Sequence, residues 1–92
     1  MVVKKKTGSE MMYRTRCVWV DVSAKRFCWS KNEMRSSEFK SVDLVGAVVS
    51  YHSPVKFSVF PSLKSDPSID IQVESEEARD AWMSAIRQVI KS

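Results

Sequence analysis

Residues 69–90 read Ile-Asp-Ile-Gln-Val-Glu-Ser-Glu-Glu-Ala-Arg-Asp-Ala-Trp-Met-Ser-Ala-Ile-Arg-Gln-Val-Ile, and the period of their apolar residues changes partway along. Apolar and polar side chains alternate over 69–73, which is typical of a half-buried β-strand. After Ser75 the apolar residues recur every three or four positions, which predicts an amphipathic helix of about four turns over 76–90. Ser75 is a suitable N-cap, and Lys91 lies at the negative end of the helix dipole.

The chain upstream of this stretch is a succession of short strand patterns. These segments are rich in β-branched and aromatic residues, and the residues between them include the glycine, proline, serine and aspartate that favour turns. Strands are predicted over approximately 1–6, 13–22, 26–30, 39–44, 47–51, 55–60 and 69–74. Six or seven short strands followed by one helix predict a mainly β fold, a partly open antiparallel barrel capped by the amphipathic helix.

Length and composition are those of a single globular domain over residues 1–92. The chain has 92 residues, of which 43% are hydrophobic and 10% aromatic, and this is too apolar for a disordered segment. No apolar run is long enough to span a membrane, and the opening Met1-Val2-Val3 leads directly into three lysines, unlike a secretory signal. We therefore expect a cytoplasmic domain that is peripheral to a membrane or associated with the cytoskeleton.

The residues that catalysis and metal binding require are scarce. Cys17 and Cys28 are too few for a disulfide scaffold or a zinc site. They lie on the two arms of the predicted 13–30 hairpin, so we expect them to be reduced and to face each other if the turn is centred near residues 22–23. His52 is the sole histidine, and no nucleophile–base pair or Gly-rich phosphate loop occurs. The sequence predicts no enzyme, no metal site and no cofactor.

Charge is distributed unevenly along the chain, whose formal net charge is +4. Residues 1–40 contain ten basic and four acidic side chains, a net charge of +6. Residues 41–92 contain five basic and seven acidic side chains, a net charge of −2. A domain polarised in this way presents a positive end, which attracts an anionic membrane, a nucleic acid or an acidic protein.

Alternation along the strand that starts near Tyr13 places two arginines on one face. The side chains predicted to share this face are those of Arg14, Arg16, Val18, Val20 and Val22. Because the valines belong in the core, we expect the arginines at the rim of the barrel, with basic residues of both neighbouring segments beside them. The candidate phosphate-binding set is Lys4, Lys6, Arg14, Arg16 and Lys31. The alternative is that these are solvated charges that keep the domain soluble.

Two apolar features lie outside the predicted core. Met11 and Met12 fall in the loop before the second strand, where they either pack ordinarily or contact the membrane interface. Trp19 is predicted to face outward from the barrel. There it either packs against Phe39 or contacts a partner protein.

Several stretches resemble the pleckstrin homology family. The family's phosphoinositide-binding pattern is a lysine on the first strand, a loop, and then basic-x-Arg and two apolar residues on the second strand. Lys6, followed after seven residues by Arg14-Thr-Arg-Cys-Val18, is similar to this pattern. Ala78-Arg-Asp-Ala-Trp-Met-Ser-Ala-Ile86, with its tryptophan, resembles the family's closing helix. Cys28-Trp-Ser30 and Ser41-Val-Asp-Leu44 are similar to the phospholipase C type in particular. The resemblance covers nearly the whole chain and implies a helix-capped barrel that binds phosphoinositide headgroups.

Two functions of different classes fit these features. The first is a membrane-targeting module that recognises phosphoinositides through the candidate phosphate-binding set. The second is a protein-interaction or scaffold module of the same fold, part of a larger cytoplasmic or cytoskeletal protein, which uses a strand edge or the helix flank. One fold hosts both roles, so the resemblance does not separate them. Nucleic acid is the least favoured partner, because no exposed aromatic track accompanies the basic residues.

Overall fold

The computed structural model describes residues 2–7, 11–31 and 39–92, which form seven strands and one helix. The elements are β1 Val2–Thr7, β2 Arg14–Asp21, β3 Arg26–Ser30, β4 Lys40–Asp43, β5 Val48–Ser53, β6 Lys56–Phe60, β7 Ile69–Gln72 and α1 Glu76–Lys91. The predicted fold class, a mainly β domain with one C-terminal helix, is confirmed. In the described part of the chain no helix is long and apolar enough to cross a membrane.

All strands belong to one antiparallel sheet of order β4-β3-β2-β1-β7-β6-β5. The strands alternate in direction, so three pairs of strand termini lie at one end of the sheet, which we call the loop end. They are the termini joined by the β1–β2, β3–β4 and β6–β7 connections. The β2–β3 and β5–β6 turns lie at the other end, together with the helix. Arg79 of α1 donates to the carbonyl oxygens of Ser53 and Pro54 at 3.3 and 3.0 Å. Lys25 of the β2–β3 turn donates to the carbonyl oxygen of Ser92.

The helix buries one face against the sheet. Met83, Ile86 and Val89 are its buried residues, and Ile86 is fully inaccessible to solvent. Trp82 is half-buried and meets Phe27 edge-on, with ring centroids 6.2 Å apart. The backbone N–H of Ala78 donates to Ser75 Oγ at 3.1 Å, which confirms the predicted N-cap. The helix therefore docks through several apolar side chains, of which Trp82 is one.

The β2–β3 hairpin differs from its prediction in the turn. Residues 22–25 form the turn, and Lys25 adopts a left-handed backbone with φ of 54°. Val22 is consequently 65% exposed, although alternation had grouped it with the core valines.

The same turn shifts the two cysteines relative to each other. Cys17 lies opposite Ser30, and Cys28 lies opposite Trp19, so the cysteines are diagonal neighbours on one face. The expectation that they face each other directly is wrong, because the turn is centred one residue later than residues 22–23. Both are buried, and neither is part of a disulfide in the described chain.

Candidate anion-binding site

The register between β1 and β2 decides which basic side chains share a face. Lys5 lies opposite Arg14, and Val3 lies opposite Arg16. Residues directly opposite each other in an antiparallel pair project to the same side of the sheet. Since Val3 is buried in the core, Lys5, Arg14 and Arg16 all project from the inner face near the loop end. We call these three residues the inner basic cluster.

Lys4 and Lys6 lie on β1, next to β2, but project from the outer face. Lys4 is opposite Thr15 on β2 and Gln72 on β7, and Lys6 is opposite Asp70. Both lysines lie on the strand next to the arginines, as expected, but the expectation that they form one group with the arginines fails because they project from the opposite face. Successive side chains of a strand project from opposite faces. A shift of one position in the register would therefore put Lys4 and Lys6 on the face of the arginines, and the register observed puts Lys5 there instead.

Lys5 is the buried member of the inner basic cluster. It is 3% exposed, and its ammonium lies 4.7 Å from the ring centroid of Trp29. The negative face of the indole attracts the cation and offsets part of the free-energy penalty of removing it from water. A cation held at this depth adds positive potential beneath the two arginines.

Arg14 and Arg16 lie where the apolar inner face gives way to solvent. Arg14 is exposed and Arg16 is half-buried, whereas Val18, the next residue on the same face, is 1% exposed. Nη1 of Arg16 donates to the carbonyl oxygen of Thr15 at 2.7 Å, so the guanidinium runs alongside its own strand. A guanidinium has five N–H donors, and one bond to the backbone leaves most of that capacity for an anion.

Three further predicted residues also lie at the loop end. Lys31 directly follows β3 and is exposed, and it forms no hydrogen bond or ion pair with the residues that the structure describes. Met11 and Met12, in the β1–β2 connection, are 96% and 69% exposed. The structure brings these three residues to the same end as the inner basic cluster without packing them against it.

A second group of cations lies on the outer face of β1 and β6. Nζ of Lys6 is 3.4 Å from Oδ2 of Asp70 and 5.8 Å from the ring centroid of Tyr13. Nζ of Lys56 approaches the same ring to 5.0 Å from its centroid. Ser58 donates from Oγ to Oδ1 of Asp70 at 2.7 Å and so holds that carboxylate in place. We call Tyr13, Lys6 and Lys56 the outer cluster.

The hydroxyl of Tyr13 is protonated at neutral pH. Burial raises the pKa of this phenol above its ordinary value, and the negative charge of Asp70 raises the pKa further. Among the described residues the phenol oxygen has no hydrogen-bond partner, and the ring contacts the ammoniums of Lys6 and Lys56. Tyr13 therefore offers a neutral donor beside two ammonium groups.

Trp19 does not belong to either cationic group. Its ring lies 5.4 Å from that of Phe39 with an interplanar angle of 56°, a favourable tilted packing geometry. Trp19 faces outward as predicted, and of the two alternatives for its contacts the structure shows packing against Phe39.

Sequence reasoning missed Lys5, Tyr13 and Lys56. Lys5 is one of three consecutive lysines, and alternation alone does not say which of them faces Arg14. Tyr13 and Lys56 come together through pairings that involve β7, which is distant in sequence from both. An alternating Lys56-Phe57-Ser58 pattern indicates an outward Lys56 but not its neighbours.

Comparisons with known proteins bear on the fold. No family model and no curated protein matches the chain. Among solved structures, the solution structure of the PH domain of human oxysterol-binding protein-related protein 11 is similar, with a TM-score of 0.80 and 16% sequence identity. The similarity covers 99% of this chain and 79% of that chain. At this level of identity the likeness establishes a shared architecture and nothing finer.

Proposed function

We propose that this chain, which has the pleckstrin homology fold, binds phosphoinositide headgroups at the inner basic cluster and targets a cytoplasmic protein to anionic membranes. The observation that carries the proposal is the pairing of Lys5 with Arg14 on the inner face, with Arg16 two residues along the same strand. Three cations from two adjacent strands thus occupy one side of the loop end.

The chemistry of these side chains suits a phosphorylated inositol. Guanidinium groups form paired hydrogen bonds with two oxygens of one phosphate, and bonds between charged partners are stronger than neutral ones. Arg14 and Arg16 are accessible enough to make such bonds, while Lys5 supplies charge from below. Lys31 supplies a further cation at the same end.

Contact with the membrane itself is proposed for the β1–β2 connection. Met11 and Met12 are apolar and highly exposed, and Met12 lies two residues before Arg14. Unbranched thioether side chains partition readily into the interface between headgroups and acyl chains. Insertion there would place the inner basic cluster at the depth of the headgroups.

Fold similarity alone does not carry this function, because one fold hosts several roles. The proposal rests on the position of the inner basic cluster, and on the resemblance of its strand to a phosphoinositide-binding pattern. We propose a binding role and no catalytic role for the domain.

Co-sedimentation with vesicles tests the proposal. Phosphatidylcholine vesicles containing phosphatidylinositol bisphosphate or trisphosphate are compared with phosphatidylserine vesicles of equal charge, at low and at physiological salt. We expect wild-type protein to prefer the phosphoinositides, and the double substitution Arg14→Ala/Arg16→Ala to reduce affinity by roughly a hundredfold or more. The melting temperature should stay nearly unchanged, since neither side chain fills the core.

Lys91→Ala is the matched control, because Lys91 is an exposed cation of α1 at the end of the domain opposite the loop end. A merely electrostatic surface would lose about 1 kcal/mol for any cation removed and would bind phosphatidylserine equally well. If wild-type protein sediments with no anionic vesicle even at low salt, the lipid proposal fails. A protein-interaction role would then take its place.

A further inference from the structure

Two neighbouring segments of the chain carry no charged side chain. Residues 44–51 form the bend after β4 and the first part of β5, and residues 57–63 form most of β6 and the start of the β6–β7 connection. Neither segment contains lysine, arginine, aspartate or glutamate, although such residues make up 28% of the chain. Because β5 pairs with β6, the two segments lie side by side. The sheet therefore ends, at its β5 edge, in a region without charge of its own.

The outer face of this region is apolar and exposed. Val48 of β5 lies opposite Phe60 of β6, and these side chains are 59% and 47% exposed. The next pair along the strands, Val49 and Val59, is buried in the core. Successive residues of a strand project from opposite faces, so Val48 and Phe60 project outward into solvent.

A contact between two turns adds two more apolar side chains. Ser62 donates from Oγ to the carbonyl oxygen of Val45 at 3.0 Å, and a Cβ at Gly46 would lie 3.2 Å from the Cβ of Ser62. The bend after β4 thus lies against the start of the β6–β7 connection. Val45 is 55% exposed, and Leu63, which follows Ser62, is 53% exposed. We call the four exposed side chains of this region the apolar patch: Val45, Val48, Phe60 and Leu63.

We infer that the apolar patch is a self-association surface, at which two copies of this chain pack face to face about a two-fold axis. Apolar side chains that remain half in water and lie together mark a surface that docks onto a partner. A patch without charge offers nothing to pair with an acidic or a basic partner, and an anionic membrane favours surfaces that contain cations. The same patch matches a second copy of itself, as a two-fold interface requires.

The charge of the whole chain points to the same surface. Its formal net charge of +4 makes two copies repel each other, and this repulsion is weakest where neither copy presents a charge. The interface is small, because four half-exposed side chains and their surroundings cover less than the ~800 Å² per partner of a standard interface. We therefore expect a weak dimer, with a Kd of about 0.1–1 mM. The apolar patch shares no residue with the inner basic cluster, so this inference does not depend on the proposed function.

Sedimentation equilibrium of the full chain, from about 10 µM to about 1 mM, tests the inference. We expect the average mass of wild-type protein to rise towards that of a dimer, and the amide chemical shifts of Val48 and Phe60 to change with concentration. Phe60→Asp should weaken association about tenfold or more, because it places an unpaired charge in the interface. Leu63→Asp should have the same effect from a connecting loop, where the substitution does not touch a strand.

Val22→Asp is the matched control. Val22 is 65% exposed and lies in the β2–β3 turn, at the end of the sheet opposite the loop end. Each of the three substitutions adds one carboxylate to a positively charged chain, which lowers the general repulsion between copies. A loss of association in Phe60→Asp and Leu63→Asp, with Val22→Asp within twofold of wild type, therefore reports the apolar patch and not the net charge.

Two results of sedimentation overturn the inference. One is wild-type protein that stays monomeric at about 1 mM, and the other is association that Phe60→Asp and Leu63→Asp leave unchanged. Monomeric wild-type protein combined with weaker vesicle binding by Phe60→Asp would assign the apolar patch to the lipid surface instead. A wild-type dimer that sediments with no anionic vesicle overturns the proposed function and leaves self-association standing.

Discussion

The ammonium of Lys5 lies 4.7 Å from the ring centroid of Trp29, and this contact is the buried part of the inner basic cluster. Trp29 belongs to β3 and Lys5 to β1, so the contact spans the inner face across β2. A cation in such a position is held by the fold before any ligand arrives.

Lys5→Met should therefore separate binding from stability. Methionine has a similar length, fills the same space and carries no charge that must be removed from water, so we expect the variant to fold. Affinity for phosphoinositide vesicles should fall about tenfold. Co-sedimentation and thermal unfolding of the same samples provide both quantities.

Lys4→Met is the control for this change, because it removes the same charge from the outer face, outside the inner basic cluster. A loss of affinity as large as that of Lys5→Met would show that total charge matters and not the face on which it lies.

The docking of α1 depends on Ile86. Its side chain is fully buried, and Ile86→Ala should lower the free energy of unfolding by about 2–5 kcal/mol through lost burial and a residual cavity. Ile90→Ala removes the same atoms from a half-buried position on the same helix and should cost less. Urea unfolding of both variants gives the comparison, and equal losses would contradict the helix orientation described.

The N-cap of α1 contributes independently of its apolar face. Ser75→Ala removes the acceptor for the Ala78 N–H and should destabilise the domain by about 1 kcal/mol. Ser84→Ala, at an exposed position inside the helix, should be neutral or slightly stabilising because alanine has the higher helix propensity. A chemical denaturation midpoint that moves equally in both variants would argue against the cap.

The β2–β3 turn should make stability depend on pH. Asp21 accepts hydrogen bonds from the Ala24 N–H at 3.0 Å and the Ser23 hydroxyl at 2.9 Å, and these bonds lower the pKa of its carboxyl. Because the folded pKa lies below the unfolded one, the stabilisation is complete above the unfolded pKa and disappears as pH falls through the folded pKa. Asp21→Ala should thus melt below wild type at pH 7, and this difference in melting temperature should shrink as the pH falls from 4 towards 2. A constant difference across this range would contradict the assignment.

Neither cysteine is required as a disulfide. Cys17 and Cys28 are diagonal neighbours, and such pairs are typically 7–8 Å apart, too far for a bond without backbone movement. We expect Cys17→Ala/Cys28→Ala to remain folded, and the wild-type protein purified from cytosol to have the mass of two free thiols. A loss of two hydrogens under non-reducing conditions would contradict this prediction.

Much of the secondary structure could be read from the sequence because its determinants are local. The change of apolar period after Val73, the serine before the helix and the acidic residues that follow it act within a few residues of each other. Alternation likewise placed Arg14 and Arg16 on the face of Val18, since a pleated strand reverses its side chains at each residue.

The cationic sites depend on pairing between strands, which the sequence by itself leaves undetermined. Lys4, Lys5 and Lys6 are chemically equivalent in sequence, and the β1–β2 register alone assigns Lys5 to the arginines and leaves its neighbours outside. The outer cluster adds Lys56, which reaches Lys6 and Tyr13 because β7 is inserted between β1 and β6. A strand's own residues thus determine which side chains alternate. Turn geometry and core packing across distant segments determine which of them meet.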